Sequence, residues 1–438
     1  MPHFRFNGFL KIPGKHPAGH FQSRSRAGRY FILCLLYPAI AVIVFSSCWG
    51  GSVNSEIHYV SCTADPGGDG TSWKTAFPHP QDALDAARPG DQIWVGEGVY
   101  GLREPEDRLV VELKTGVMVL GGFTGTETDP GERNPEEAVA VLDGQGQAYH
   151  VVRAMGADGT VIDGFTITNG DASGNALESS NGGEFTGGGM FSVSSSPEIR
   201  QCRFVNNKAS FKGGAIFNEK SSPLVVDCIF EGNSAFFGGA VYNEASFPTT
   251  INSIFRANAS WISGGAVSSF ASSPTYVNSL FSGNETTYTG GAILANTSST
   301  AVINCTFTGN RSRQQPGGGL SLYRGRAKLS NCILWGDVSP GPPEVWSDEG
   351  EFDIVFSIIQ GGYAGSENLN LPPNFVQDGY WDEEDRWAEG DYQLAEGSAA
   401  IDTGTAQGAP NFDLAGKARP QLLAHDRGAY EHTPDSDQ

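Results

Sequence analysis

GGAIFNEKSSPLVVDCIFEGNSAFF, residues 213–237, contains two phrases that recur along the chain. The first is a Gly-Gly/Gly-apolar phrase: GGGMF from Gly187, GGAIF from Gly213, GGAVY from Gly238, GGAVS from Gly264, GGAIL from Gly290 and GGGLS from Gly317. The second is Cys/Ser-x-Phe-x-x-Asn, starting at Cys202, Cys228, Ser253, Ser279 and Cys305, with the variant CILWGD at Cys332. Both keep spacings of 26, 25, 26, 26 and 27 residues. Two separate phrases in one period mean a repeat protein, each unit stacking on its neighbours. Within a unit the apolar runs are short, rich in Val, Ile and Phe, and broken by Gly, Asn, Ser and Pro. That predicts two or three short strands per turn. Stacked turns place equivalent strands in parallel about 4.8 Å apart. The expected fold is all-β, a right-handed parallel β-helix of roughly ten turns.

Column by column, the fourth residue of the glycine phrase (Met190, Ile216, Val241, Val267, Ile293, Leu320) is always apolar and is expected to point inward. Phe204, Phe230, Phe255, Phe281 and Phe307 form a second inward stack. Two polar columns flank them: Gln201, Asp227, Asn252, Asn278, Asn304 and Asn331, then Asn207, Asn233, Asn258, Asn284, Asn310 and Asp337. Asn accepts left-handed turn geometry, and its amide bonds the next Asn up the stack. Cys202, Cys228, Cys305 and Cys332 share one column with Ser253 and Ser279, as small buried side chains do. Cys62 stands apart from it, and there is no Cys/His metal spacing.

These phrases resemble the polymorphic outer-membrane protein repeats, whose signature pairs GGA-I/L/V with F-x-x-N, over residues 185–340. The fold they imply is the pectin-lyase-like solenoid, and known members are surface adhesins carried by an autotransporter barrel. No long C-terminal series of alternating strands reads as such a barrel, so that export route does not carry over.

Residues 1–47 read as a secretory signal: six basic residues, no acid, and an apolar stretch from Tyr30 to Phe45. Phe45-Ser46-Ser47-Cys48 resembles a lipobox, with Cys48 the lipidation candidate; ordinary cleavage and an uncleaved anchor are the alternatives. A tether (48–58) then leads to an N-terminal cap and first turn (59–100), with a short helix from Pro80 to Ala87. This segment resembles the amino-terminal cap of secreted bacterial β-helix proteins. The solenoid follows over 101–340, with regular repeats at 187–337 and an excursion at 171–186. Residues 341–438 read as irregular, acidic turns and a tail. GSAAIDTG (397–404), DLAGKARP (413–420) and DRGAYE (426–431) resemble the choice-of-anchor Q type C-terminal region, which implies a link to sorting or anchoring and no catalysis. The expected location is the outer membrane surface, by a lipid anchor, or the extracellular space.

Without residues 1–47 the chain keeps 22 basic residues against 49 acidic ones, a net charge of −27. That excludes nucleic acid as a backbone-charge partner and disfavours anionic glycans unless a divalent cation bridges. No cofactor is expected; calcium is the possible exception, although Asp382–Asp385 lacks the spacing of a calcium loop.

Residues five and seven of the glycine phrase alternate with position four and are expected to face outward. Position five places Phe191, Phe217 and Tyr242 in one exposed aromatic column, the binding candidates for a polysaccharide or a cell-surface partner. Position seven places Glu219 and Glu244 on adjacent turns, the candidate pair if the chain is a polysaccharide lyase or glycoside hydrolase. Lys220 beside Glu219 offers a plain ion-pairing explanation, and the Asn-Thr-Asp, Asp-Asp, Gly-His-Gly and Arg-Ile-Lys phrases of polygalacturonases are missing. A second aromatic set, Phe211, Phe236, Phe237, Trp261 and Tyr288, precedes the glycine phrase. The ordinary role of both sets is to stack and cover the solenoid. The favoured reading is non-enzymatic adhesion or binding through an aromatic face, with the enzyme as the alternative.

Overall fold

The computed structural model describes residues 55–104, 106–174 and 183–433; the signal segment, Cys48 and residues 175–182 of the excursion lie outside them. The coil containing residues 216–237 shows how every regular turn is made. Ile216–Glu219, Leu224–Val226, Ile229–Glu231 and Ser234–Phe237 are four short strands, after which Val241–Glu244 returns to the position of the first. Each pairs in parallel with its equivalent in the next coil, residue for residue: Phe217 with Tyr242, Phe230 with Phe255. The four columns become sheets of nine, eleven, ten and six strands. We call them the glycine, long, phenylalanine and edge sheets. The chain is thus a parallel β-solenoid, as the period predicts.

The period exists because each column has one physical requirement. Gly264, which opens its repeat, has φ +63°, and a Cβ on Gly265 would lie 2.1 Å from the carbonyl oxygen of Gly291. Only glycine fits where successive bends touch backbone to backbone. The five phenylalanines stack with centroids 4.5 to 5.1 Å apart and planes within 6°. The Asn233 amide oxygen accepts from the backbone N and Nδ2 of Asn207, and Nδ2 of Asn233 donates to Phe204 O and Asn258 Oδ1. The same pattern runs through Asn258, Asn284 and Asn310 to Asp337. Each rung satisfies buried backbone as well as itself, and an Asn→Ala change would strand several donors and acceptors at once. The flanking column from Gln201 to Asn331 sits at φ +45° to +54°. In the Cys/Ser column the heteroatom accepts the previous coil's N–H: Cys228 N donates to Ser253 Oγ and Ser279 N to Cys305 Sγ. Those four cysteines are buried free thiols, and burial pushes Cys202 and Cys332 up to about 12.

At the N-terminal end the helix Pro80–Ala86 buries Pro80, Ala83 and Leu84, with Ala83 and Leu84 in the solenoid core. His79 caps it, accepting from Gln81 N. At the other end the coil outlasts its sequence signature. Val345–Asp348, Glu351–Val355 and Ile358–Ile359 add a strand each to the glycine, long and phenylalanine sheets. The solenoid therefore runs past residue 340, because stacking needs only inward apolar residues and backbone pairing, not the glycine phrase. Residues 375–433 do not form a further coil. They fold back along the outside of the phenylalanine sheet, where Phe375, Tyr392, Leu394 and Ala400 build a second core with Leu280, Ile333 and Ile358.

The charged residues of the tail's three phrases hold this buttress in place. Arg419 and Glu431 form a fully buried ion pair at 2.8 Å, and Arg419 also donates to Asn278 Oδ1 and Gly428 O. Arg427 donates to Ser357 O and Thr403 O, and Asn331 donates to Thr405 O. In the acidic run, Asp385 is paired with Arg311 and Arg313 and Asp382 with Arg386. Among the described residues no helix is long and apolar enough to cross a membrane.

Candidate functional site

The glycine sheet positions the first aromatic column as alternation requires: position four is buried inside, position five points out. Pointing out is not the same as being exposed, however. Phe217 is 5% and Tyr242 8% exposed, and Phe191 is half-buried. They stack on one another with centroids 5.5 and 6.1 Å apart, and His150 extends the stack at 4.8 Å from Phe191. Burial pushes His150 down to about 4, so at neutral pH it is an uncharged ring, with Nδ1 3.0 Å from Gly187 O. The expectation of an open aromatic face at Phe217 and Tyr242 is thus corrected. In two coils the residue just before the glycine phrase lies over this column. Phe237 packs edge-on against Tyr242 at 6.4 Å. Lys212 lies across the rings, its ammonium 4.6 Å from the centroid of Tyr242, 5.9 Å from Phe217 and 5.2 Å from Phe211. Leaving so much aromatic surface in water costs about 25 cal/mol per Å², which the cover removes.

Glu219 and Glu244 are register partners on adjacent strands, as expected. Lys220 Nζ meets Glu219 Oε1 at 3.0 Å, and Lys212 Nζ meets Glu244 Oε2 at 2.5 Å. A retaining glycosidase needs one of two carboxyls to hold a proton beside its nucleophile. Here each has its own ammonium instead.

The second aromatic set supplies the open surface. Phe211, Phe236, Trp261 and Tyr288 are 44, 37, 61 and 37% exposed. They stand one per coil on or beside Lys208–Ala209, Ser234–Phe237, Ala259–Ser263 and Glu285–Thr286, consecutive strands of the edge sheet. Beneath them the column is small, Ala209, Ala235, Ser260 and Thr286, with Ser260 Oγ donating to Thr286 Oγ1 at 2.8 Å. The register shifts between Ala235 and Phe237, a bulge of the kind that re-aims side chains. The extra residue lies in the neighbouring strand, where Trp261 and Ile262 together oppose Phe236. Four rings over three coil steps make a ledge about 15 Å long.

Two other features stand apart from the aromatic columns. A groove of about 870 Å³ lies between residues 130–136 and Gln201, Arg203 and Asp227, but Arg133 is committed to Asp163 at 2.7 Å and to Gly121 O. Glu56, His58 and Asp91 bring three potential metal donors within 4.8 Å of one another. The Asp91 oxygens already accept from Glu56 N, Arg88 N and His58 Nε2, which ties the first strand to the second.

The Chlamydia polymorphic membrane protein repeat matches residues 201–219 and 278–296. Each match runs from the left-handed Asn or Gln column through the phenylalanine rung and the edge sheet to position seven of the glycine phrase. No curated protein matches the chain. Among solved structures, a pectate lyase, Pel9A, is similar at 13% identity over 86% of this chain and 97% of that one, with a TM-score of 0.44. A rhamnogalacturonan lyase is similar at 9% identity over 78% and 97%, TM-score 0.38. A pectin methylesterase from Yersinia enterocolitica is similar at 12% identity over 67% and 94%, TM-score 0.34.

Proposed function

We propose that this protein is a non-catalytic, exported surface binder of a linear polysaccharide, and that the ledge Phe211–Phe236–Trp261–Tyr288 is its contact surface. The carrying observation is the exposure of four aromatic rings on four successive coils, when the neighbouring column of the same chain is carefully covered. A soluble surface keeps large rings in water where a partner will cover them. Flat aromatic faces suit the apolar faces of sugar rings. A coil step of about 4.8 Å is close to the advance of one sugar ring in an extended chain, so consecutive rings can meet consecutive sugars. The net charge of −27 turns away anionic chains. The signal-like segment before Cys48 supports work outside the cytoplasm, and a lipid on Cys48 would hold the solenoid at a membrane surface. The lysine partners of Glu219 and Glu244 favour binding over hydrolysis.

The test is affinity electrophoresis of protein beginning at residue 49 through linear glycans, uncharged and amine-bearing, beside the Trp261→Ala and Phe236→Ala variants. Retardation that the variants lose by tenfold or more supports the reading. Retardation the variants keep would move the site elsewhere, and none on any glycan would end the reading.

A further inference from the structure

Resting on that reading, we infer that the polysaccharide carries free amines, and that Lys212 occupies the ammonium subsite at one end of the ledge. The rings of Phe211, Phe217 and Tyr242 and the carboxylate of Glu244 surround one primary ammonium, that of Lys212, at 5.2, 5.9, 4.6 and 2.5 Å. Three aromatic faces plus one carboxylate are the parts of an organic-cation site. That such a site is complete and fits a primary amine is shown by the amine already inside it. The occupant is a side chain on a flexible four-carbon stem, so it can leave without backbone movement. The site can be reached: the Glu244 side chain keeps 33% exposure, and Lys212, lying over the two buried rings, keeps 17%. Phe211 belongs to both the cage and the ledge. Tyr242 and Glu244 follow Phe236 on the same coil, so a glycan lying along Phe211, Phe236, Trp261 and Tyr288 passes beside the cage and can turn an amine into it. Charge points the same way, because a body of net charge −27 draws in a polycation from a distance.

The binding step is an exchange. The ligand's ammonium pairs with Glu244 as Lys212 swings into water, and no bond is made or broken. Lys212 lowers affinity for every amine by competing for the cage, and it keeps the cage closed to sugars that lack one.

The test uses one backbone in two forms, a deacetylated and a fully N-acetylated β-linked aminoglycan, measured by titration calorimetry at a pH where the free amines are charged. The expected result is tighter binding of the deacetylated form by tenfold or more. Glu244→Gln should abolish that preference while leaving the N-acetylated form unchanged. Lys212→Ala should raise affinity for the deacetylated form several-fold; Lys212→Met, which keeps the cover but not the charge, guards against collapse of the aromatic column. Glu349→Gln removes the same charge from a distant coil and should leave the preference intact. Equal binding of the two forms, or a preference that Glu349→Gln erodes as much as Glu244→Gln does, overturns the amine subsite and leaves the ledge reading standing. Binding of neither form overturns both.

Discussion

Phe191, Phe217 and Tyr242 stand on the glycine sheet one residue after an inward position. Phe211, Phe236, Trp261 and Tyr288 stand on or beside the edge sheet of neighbouring coils. Both are aromatic columns with one ring per coil, and both point away from the core. The first is sealed by Lys212 and Phe237 and continues the packing of the solenoid outward; the second is left in water. The difference teaches that a repeat supplies positions, while non-repeating neighbours decide what each position does. Lys212 has no counterpart in the other units, where the same place holds Thr186, Phe237, Ser263, Thr289 and Pro316. One lysine converts an apolar strip into a covered wall.

If the contrast is real, the two columns must respond differently to truncation, and stability should show the largest gap. Phe217→Ala is expected to cost about 3 kcal/mol, as buried phenylalanines do, whereas Trp261→Ala should change stability by no more than about 0.5 kcal/mol. Urea unfolding of the two variants measures this directly. Equal losses would mean that the ledge is also packing and would remove its claim to be a site.

A satisfied and an unsatisfied position also meet inside the solenoid, where the Asn ladder ends on Asp337. Its Oδ1 takes the place of an Asn oxygen, accepting from Asn310, while Oδ2 and the neighbouring Glu344 Oε2 are buried without a donor. Burial raises Asp337 to about 7, and burial together with the Asp337 charge raises Glu344 well above the usual carboxylate range. A raised folded-state pKa means the folded protein holds a proton that the unfolded chain gives up from about pH 4. Stability contributed here is therefore full at low pH and lost as pH rises toward 7. Asp337→Asn restores the ladder's own residue and should stabilise the protein by about 2 kcal/mol at pH 8, with little change at pH 4. Melting temperatures of both proteins across that window, read as a difference, test it. A gap independent of pH would show that Asp337 is not the titrating group.

For binding, the gap between columns should reverse. Trp261→Ala is expected to weaken the glycan complex tenfold or more, about 1.4 kcal/mol, and Phe191→Ala to leave it within twofold. Affinities from the same electrophoresis or calorimetry decide this, and a larger loss at Phe191 would return the site to the glycine sheet.

Much of this was legible from the chain alone, for a reason the columns make plain. Met190 to Leu320, Phe204 to Phe307 and Asn207 to Asp337 each repeat one physical demand, and repetition separates demand from accident. The early strands Leu109–Glu112 and Ala140–Asp143 add coils on a looser period, with no repeat phrase to mark them. What could not be read is what happens once and at long range. Alternation says which side of a sheet Tyr242 takes, but not that Lys212 from the preceding coil will lie over it. The coil at 345–359 keeps inward Val345, Ile354 and Ile359 but none of the repeat phrases. The tail's Arg419, Arg427 and Glu431 looked like a signal for something outside the chain, yet they bond to residues 278 and 357 and to one another. No spacing in the sequence connects those positions.

The smallest expected effect tests the cover itself. Lys212→Met keeps an unbranched apolar stem over Tyr242 and deletes the charge. The ion pair it removes is partly exposed, so its loss should cost under about 1 kcal/mol. The stem's packing, the larger part of the cover, survives. Lys212→Ala loses both and should cost more, leaving Tyr242 open to solvent. The order wild type, Met, Ala in unfolding free energy, with most of the loss on the second step, says that Lys212 acts as a lid whose charge is spare. A loss concentrated on the first step would say instead that the pairing with Glu244 holds the column shut, and a ligand amine would then have to match that pairing to enter.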